Sequence, residues 1–209
     1  MISQTTFAAV DFESAGAAKG KTDVPVQIGM GIWSVQQGHH SAFVSFIRAD
    51  RPITWAAQKV HGITTDDLAD APSFMMLWPK IKATLGGGHV VVAHGYGTEK
   101  RYLRAFPAHG FGPWIDTLLL ARAAWPELPS HKLGDLCEHF QLTPKVSELV
   151  PEKTWHDALY DAIASLVLLE HLISVFHLEQ SPLELLLRPD TRIWHKRKND
   201  PSLLGDKLT

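Results

Sequence analysis

Two carboxylates, Asp11 and Glu13, stand two residues apart in the apolar stretch "AAVDFES". In an extended strand successive side chains alternate, so Phe7, Ala9, Asp11 and Glu13 share one face while Ala8, Val10 and Phe12 share the other. Two negative charges roughly 7 Å apart at the end of a buried strand raise each other's pKa unless a cation neutralises them. The alternative is that both acids point into solvent. A third acid, Asp161, lies in "HDALYDAIASLVLL", where Leu159, Ile163, Leu166 and Ile173 make one apolar stripe at helical spacing. Asp161 falls on a second side, with Ser165, Leu168 and Leu172, that is also apolar. A carboxylate that stays charged there needs hydrogen bonds or a metal. The competing reading leaves Asp157 and Asp161 as first-turn acids favoured by the helix dipole, and it fits Asp157 better. In "VVAHGYGTEKRYL" an apolar run stops at His94, two glycines follow, and Glu99 opens a charged segment. Glu99 either pairs locally with Lys100 or Arg101 or turns inward toward the other acids. His156 lies five residues before Asp161, although an imidazole at a helix start is by itself a surface residue.

The elements that must position these groups follow from periodicity. Residues 7–12, 26–35 and 42–47 are short runs rich in apolar and β-branched residues, expected as three antiparallel strands. Phe74, Leu77, Trp78, Ile81 and Leu85 recur at helical spacing, and three glycines end that helix at residues 86–88. Residues 90–93 are too short for a helix and read as a buried strand. A helix over 101–106, a strand and helix in "WIDTLLLARAAW", a helix in "KLGDLCEHF" and a long helix over 157–175 complete a mixed sheet with helices on its faces.

A chain of 209 residues, 45% hydrophobic and 20% charged, fits one domain better than two. The division expected is a domain over 1–181 and a basic C-terminal tail over 182–209. Five Lys and Arg residues fall between Arg188 and Lys198, which reads as a solvated tail or as a basic arm for a polyanion or partner. A formal net charge of −2 excludes nucleic-acid binding by bulk positive charge, so any polyanion must be held by a local site. The single cysteine, Cys137, forms no internal disulfide and points to a reducing compartment. The N-terminus lacks the pattern of a secretion leader, and no apolar run is expected to span a membrane. A soluble cytoplasmic protein with no membrane partner is the expectation.

The motifs "AAVDFESAG", "KVHGITTDDL", "VVAHGYGTEKRYL", "WIDTLLLAR" and "HDALYDAIASLVLL" occur, in this order, as in the histidine-containing (DEDDh) branch of the DEDD superfamily of 3′–5′ exonucleases, which the chain resembles over about residues 7–176. The resemblance implies an α/β, ribonuclease-H-like mixed β-sheet flanked by helices, and release of 5′-mononucleotides from 3′ ends of single-stranded DNA or RNA. It implies two divalent cations, Mg²⁺ or Mn²⁺, about 4 Å apart, clamping the phosphodiester through hard oxygen ligands. Residue by residue, Asp11 matches the acid that bridges both ions, Glu13 and Asp161 complete one site, and His156 accepts a proton from the attacking water. Glu99 falls where the family has its remaining Asp and would serve the second ion. Gly95 stands where Asn is usual, and no Asp between His94 and Phe111 rescues the register. Phe12, Ser14, His61, Gly62, Ile63 and His94 would line the pocket for the terminal nucleotide. A DNA polymerase, or another replication or repair protein, is the implied partner class. The departures at Gly95 and Glu99 leave an alternative, a catalytically weak or inactive module that binds nucleic-acid ends or a polymerase partner.

Overall fold

The computed structural model describes residues 1–17 and 22–198. Residues 18–21 of the first connection and 199–209 of the expected basic tail lie outside the described residues. Strands β1 (Thr6–Ser14), β2 (Pro25–Ser34) and β3 (Gly38–Phe46) run antiparallel, and β4 (Val90–Ala93) and β5 (Trp114–Asp116) add in parallel beyond β1. The spatial order is β3-β2-β1-β4-β5. This is the mixed sheet expected, with β1 at its centre.

The alternation along β1 sorts the core into two layers. Phe7 and Ala9 pack with helices α4 (Thr117–Ala124), α5 (Leu133–His139), α6 (Thr143–Leu149) and α7 (Ala158–Val175). Ala8, Val10 and Phe12 pack on the opposite face with α2 (Trp78–Leu85) and α3 (Gly97–Leu103). Helix α1 (Trp55–His61) buries no residue; it is held at its ends, by Thr54 accepting from the Ala57 amide and by Gly62 in a left-handed conformation at φ 74°.

Three local expectations are corrected. The helix expected over 74–85 is a 3-10 turn followed by α2, because Pro79 has no N–H to continue a ladder from the preceding turn. Helix α3 begins at Gly97, four residues earlier than expected, so Glu99 falls inside its first turn. Helix α6 is an addition to the expected elements; it buries only Val146, too little for an apolar stripe.

The segment after residue 181 is docked rather than solvated as far as Trp194. Helix α8 (Glu184–Leu187) buries Leu186, and the Trp194 side chain on α9 (Thr191–Lys198) is fully buried, edge-on to Phe176 at 4.9 Å. The Ile2 amide donates to the Ser181 carbonyl at 3.0 Å, tying the N-terminus to the same segment. The dense charge of residues 188–198 hides one aromatic anchor. Helix α7, against expectation, is long and apolar enough to cross a membrane by length and composition, but 72% of it is buried inside the fold, against β1 and β2.

Candidate active site

The site forms where α7 begins over the end of β1. Asp11 is paired across the sheet with Gly29 of β2, and Glu13 with Gln27. A Cβ at Gly29 would overlap the Ala158 carbonyl group and the Leu159 nitrogen, so only glycine lets the first turn of α7 lie directly on the strand. The Gln27 side chain, almost fully buried, then bonds that turn twice. Its Oε1 accepts from the Ala158 amide at 2.9 Å and its Nε2 donates to Asp157 at 3.1 Å. Asp157 is the N-cap of α7, accepting from the Leu159 amide at 3.0 Å and from Lys153 Nζ at 2.9 Å. Asp157 therefore serves the helix start, as expected, and Asp161, one turn later, faces the strand acids. Ligand atoms of Glu13, His156 and Asp161 lie within 4.8 Å of one another. His156 sits just ahead of the cap with φ 68°, a left-handed conformation uncommon outside glycine that carries the ring back toward the acids.

Glu99 reaches the same place from the other side. Strand β4 lies beside β1 with Val92 opposite Ala9, so the chain leaves β4 level with Asp11. It turns at Gly95, φ 84°, a backbone region that glycine and asparagine tolerate best. That conformation gives a physical reason for Gly at a position where Asn is usual. The Gly95 amide donates to Asp116 Oδ1 at 2.9 Å, and the same oxygen accepts from the Leu118 and Leu119 amides at 3.0 and 3.3 Å. Asp116 thus ties the exit of β4 to the start of α4 and fixes where α3 begins. Glu99 is 5% exposed, and its charge is among those that raise the pKa of Asp11. Its neighbours are engaged elsewhere: Lys100 Nζ lies over the Tyr96 ring at 3.5 Å, and Arg101 donates to the Tyr102 hydroxyl at 3.2 Å. Among the described residues no ion pair or side-chain hydrogen bond joins Glu99 to either, although the Arg101 charge is near enough to oppose the rise in its pKa.

Burial and mutual repulsion govern the electrostatics. Asp11 is pushed well above the usual carboxylate range by burial first, then by Asp161, Glu99 and Glu13. Burial, then Asp161 and Asp157, raises Glu13 to about 8. Burial dominates again at Asp161 and Glu99, each raised to about 7, with Asp157 adding to the first and Asp116 to the second. Glu99 Oε2 and Asp161 Oδ1 are buried without a hydrogen-bond partner. Four carboxylates in one desolvated spot, with unpartnered oxygens, leave a deficit of positive charge that the described side chains do not fill. Oxygen donors of this kind fit hard divalent cations.

A cleft of about 240 Å³ opens beside this cluster, lined by Gln27, Phe46, His61, Gly62, Ile63 and His156. His61 is locked in it. Its Nε2 donates to the Ser14 carbonyl at 3.0 Å and its Nδ1 accepts from the Ile63 amide at 3.0 Å, while burial first, and then nearby His156, lower its pKa against the Ser14 bond. The imidazole is neutral and joins the end of β1 to the loop after α1. Phe12 is turned away, 7% exposed, with its ring against Phe74 and Tyr102 on the other core layer. His94 is not in this cleft either; it lines a second one, with Nε2 donating to the His131 carbonyl at 2.8 Å and Nδ1 bonded to Thr117 Oγ1 at 3.0 Å. Gln27, Gly29 and Asp116 are absent from the residues that the sequence singles out. The alternating glycines of "QIGMGIW", on the β2 face that meets α7, are the available signal for a close backbone approach.

Comparison with known proteins places the chain in a family. The chain is 31% identical over 136 residues to the PolC-type DNA polymerase III of Bacillus cereus, covering 63% of this chain and 9% of that one. It is 32% identical over 124 residues to exodeoxyribonuclease 10 of Escherichia coli, covering 59% of this chain and 50% of that one. The chain thus spans a tenth to a half of the length of these relatives. The solved structure of exonuclease X in complex with 5′ overhanging duplex DNA superposes with a TM-score of 0.68 at 26% identity, covering 87% of this chain and 97% of that one. The nuclease domain of 3′hExo, a DEDDh family member bound to rAMP, shares the ribonuclease-H-like fold at a TM-score of 0.64 and 14% identity. The exonuclease family model, of the ribonuclease T type, matches residues 8–169, and the chain belongs to that family.

Proposed function

We propose that the chain is a metal-dependent 3′–5′ exonuclease that removes 5′-mononucleotides from single-stranded DNA or RNA ends. The observation that carries this reading is the convergence of Asp11, Glu13, Glu99 and Asp161 with His156 at the C-terminal end of the central strand β1, the acids desolvated and two of their oxygens unpartnered. Asp11, Glu13 and Asp161, with Glu99 from the opposite side, would hold two divalent ions, Mg²⁺ or Mn²⁺. When bound, such ions activate a water for attack on the phosphodiester and stabilise the departing 3′ oxygen. His156 accepts the proton of the attacking water; its ring lies within 4.8 Å of ligand oxygens of Glu13 and Asp161 and is exposed to solvent that can carry the proton away. The cleft beside it, walled by His61, Gly62 and Ile63, receives the terminal nucleoside, and Ser14 lies at its edge. Phe12 contributes through its backbone position, since its side chain belongs to the core. His94 orders the loop that follows β4 through its two ring bonds. A polymerase or other replication or repair protein is the partner class that the PolC-type and exonuclease relatives support.

The deciding experiment incubates a 5′-labelled oligonucleotide with purified protein and Mg²⁺ or Mn²⁺. A ladder of products shortened from the 3′ end, abolished by Asp11→Ala, is expected. Undegraded substrate under both metals would reduce the protein to a binding module.

A further inference from the structure

The exonuclease reading accounts for the cleft on the β2 side of the acids. It leaves unexplained a second cleft, of about 540 Å³, on the β4 side, lined by His94, Leu118, Arg122, Ser130, His131 and Lys132. The two clefts flank the same carboxylates: Gln27 of β2 walls the first, and His94, the residue after β4, walls the second. Strands β2 and β4 are the two neighbours of β1, so these walls stand two strand spacings apart, about 10 Å. A polynucleotide whose last residue sits in the first cleft and whose scissile bond crosses the acids must leave on the second side.

The second cleft is built, and its charge is of the opposite sign to the acid cluster. His131 closes its floor, its carbonyl accepting from His94 Nε2 at 2.8 Å and its own Nε2 donating to the Trp125 carbonyl at 2.9 Å. The Ser130 hydroxyl is bonded to Asp135, which keeps that carboxylate engaged at the rim. Arg122, on α4, and Lys132, just before α5, are both exposed, and no ion pair among the described residues engages either. In a chain of net charge −2, two available cations in a fixed concavity beside four carboxylates are where a polyanion gains most. His94, held by its ring bonds to the His131 carbonyl and to Thr117 Oγ1, serves as the wall between the two charge regions.

We propose that this second cleft holds the phosphodiester backbone of the strand upstream of the bond being cut, with Arg122 and Lys132 as its phosphate-binding cations. The proposal rests on the reading of the acid cluster as a site for nucleic-acid 3′ ends. Interactions of this kind fix register and are blind to base identity, so they serve a strand of any sequence.

The test is binding of a fluorescein-labelled single-stranded dodecathymidylate, followed by anisotropy with Ca²⁺ in place of Mg²⁺ and repeated over a range of salt. Arg122→Ala with Lys132→Ala should weaken binding on the order of tenfold. The slope of log affinity against log salt should become shallower by about 0.7 for each phosphate left without its cation. The charge-reversed pair Arg122→Glu and Lys132→Glu should weaken binding further, with Tm unchanged because both side chains are exposed. A parent-like affinity and salt slope in both pairs overturns the proposal, as does a parent protein that does not bind the oligonucleotide at all. Cleavage by the parent under Mg²⁺ or Mn²⁺ is scored separately. A parent that binds through these cations yet cuts nothing sinks the catalytic reading alone.

Discussion

The two ends of α7 each carry a half-buried acid, and they treat it in opposite ways. Near the C-terminal end, Glu170 is met by His39 Nε2 at 3.1 Å and Lys145 Nζ at 2.7 Å. Burial alone would raise its pKa, but those two partners more than offset it and hold the carboxyl below its usual value. At the N-terminal end burial first, and then the Asp157 charge, raise the pKa of Asp161 to about 7, and Asp161 in turn raises those of Asp11 and Glu13. A fold that meets one acid with its own side-chain donors leaves the other, nine residues earlier on the same helix, without such partners. The first acid is structure. On the exonuclease reading, the second is poised for a charge that comes from outside the chain.

Removing each charge is the strongest way to break this contrast. Asp161→Asn should lower nuclease activity by at least about a hundredfold, because a ligand position is removed or misplaced. Glu170→Gln should leave activity within a few-fold of the parent and cost about 1 kcal/mol of stability in urea unfolding, from the weakened bonds to His39 and Lys145. Equal activity losses in both variants would mean that the two ends do not differ in kind.

The glycines beneath the helix give the next effect. At Gly29 an added Cβ runs into the backbone of Ala158 and Leu159, which cannot rotate away, so Gly29→Ala must lift the start of α7. A cost of about 1–3 kcal/mol is expected, with a large activity loss as Asp161 moves off Glu13. At Gly31 the added Cβ meets chiefly the tip of Ile163, a side chain that can adjust, so Gly31→Ala should cost less and keep most activity. Urea midpoints and initial rates of both variants check the pair.

How far such features can be read from sequence follows the same line. Alternation on β1 and helical spacing on α7 make Asp11, Glu13 and Asp161 visible, because those patterns are local and periodic. Gln27, Gly29 and Asp116 act across the sheet, on partners up to 131 residues away, and no local period announces them. Trp194 is hidden for a related reason, since a single buried anchor in a charged segment makes no stripe. The two ends of α7 are likewise indistinguishable until His39 and Lys145, from β3 and α6, are placed beside Glu170.

Acidity separates the two ends without mutation. For Glu13 and Asp161 the folded protein holds protons that the unfolded chain, with values near 4.5 and 3.8, releases earlier. Their contribution to stability is present below that range and is lost as pH rises through about 7 to 8. Glu170, held below its usual value, contributes stability above the ordinary Glu range and loses it as pH falls. Metal-free protein should therefore show a falling Tm from about pH 5 to 8, and Mg²⁺ or Mn²⁺ should raise Tm more at pH 8 than at pH 6. A metal-induced shift that ignores pH would deny that the cations replace protons on these carboxylates.

Glu99→Asp probes the contrast most finely, because it keeps the charge and removes one methylene. The glutamate is buried beyond the turn at Gly95, and its Oε2 has no hydrogen-bond partner. Two distances compete: the shorter acid is the family's usual choice, but α3 here is fixed by the Asp116 bonds to Gly95, Leu118 and Leu119, which do not move with the side chain. If the helix start sits where an aspartate reaches the ion, Glu99→Asp should keep activity or raise it, within about tenfold, and shift the preference between Mn²⁺ and Mg²⁺, which tolerate ligand geometry differently. A complete loss would show that the site is built around the longer side chain, with the carboxylate supplied from farther back on α3. In either outcome Glu170→Asp, set against the His39 and Lys145 side chains on β3 and α6, should change stability and leave the metal preference alone.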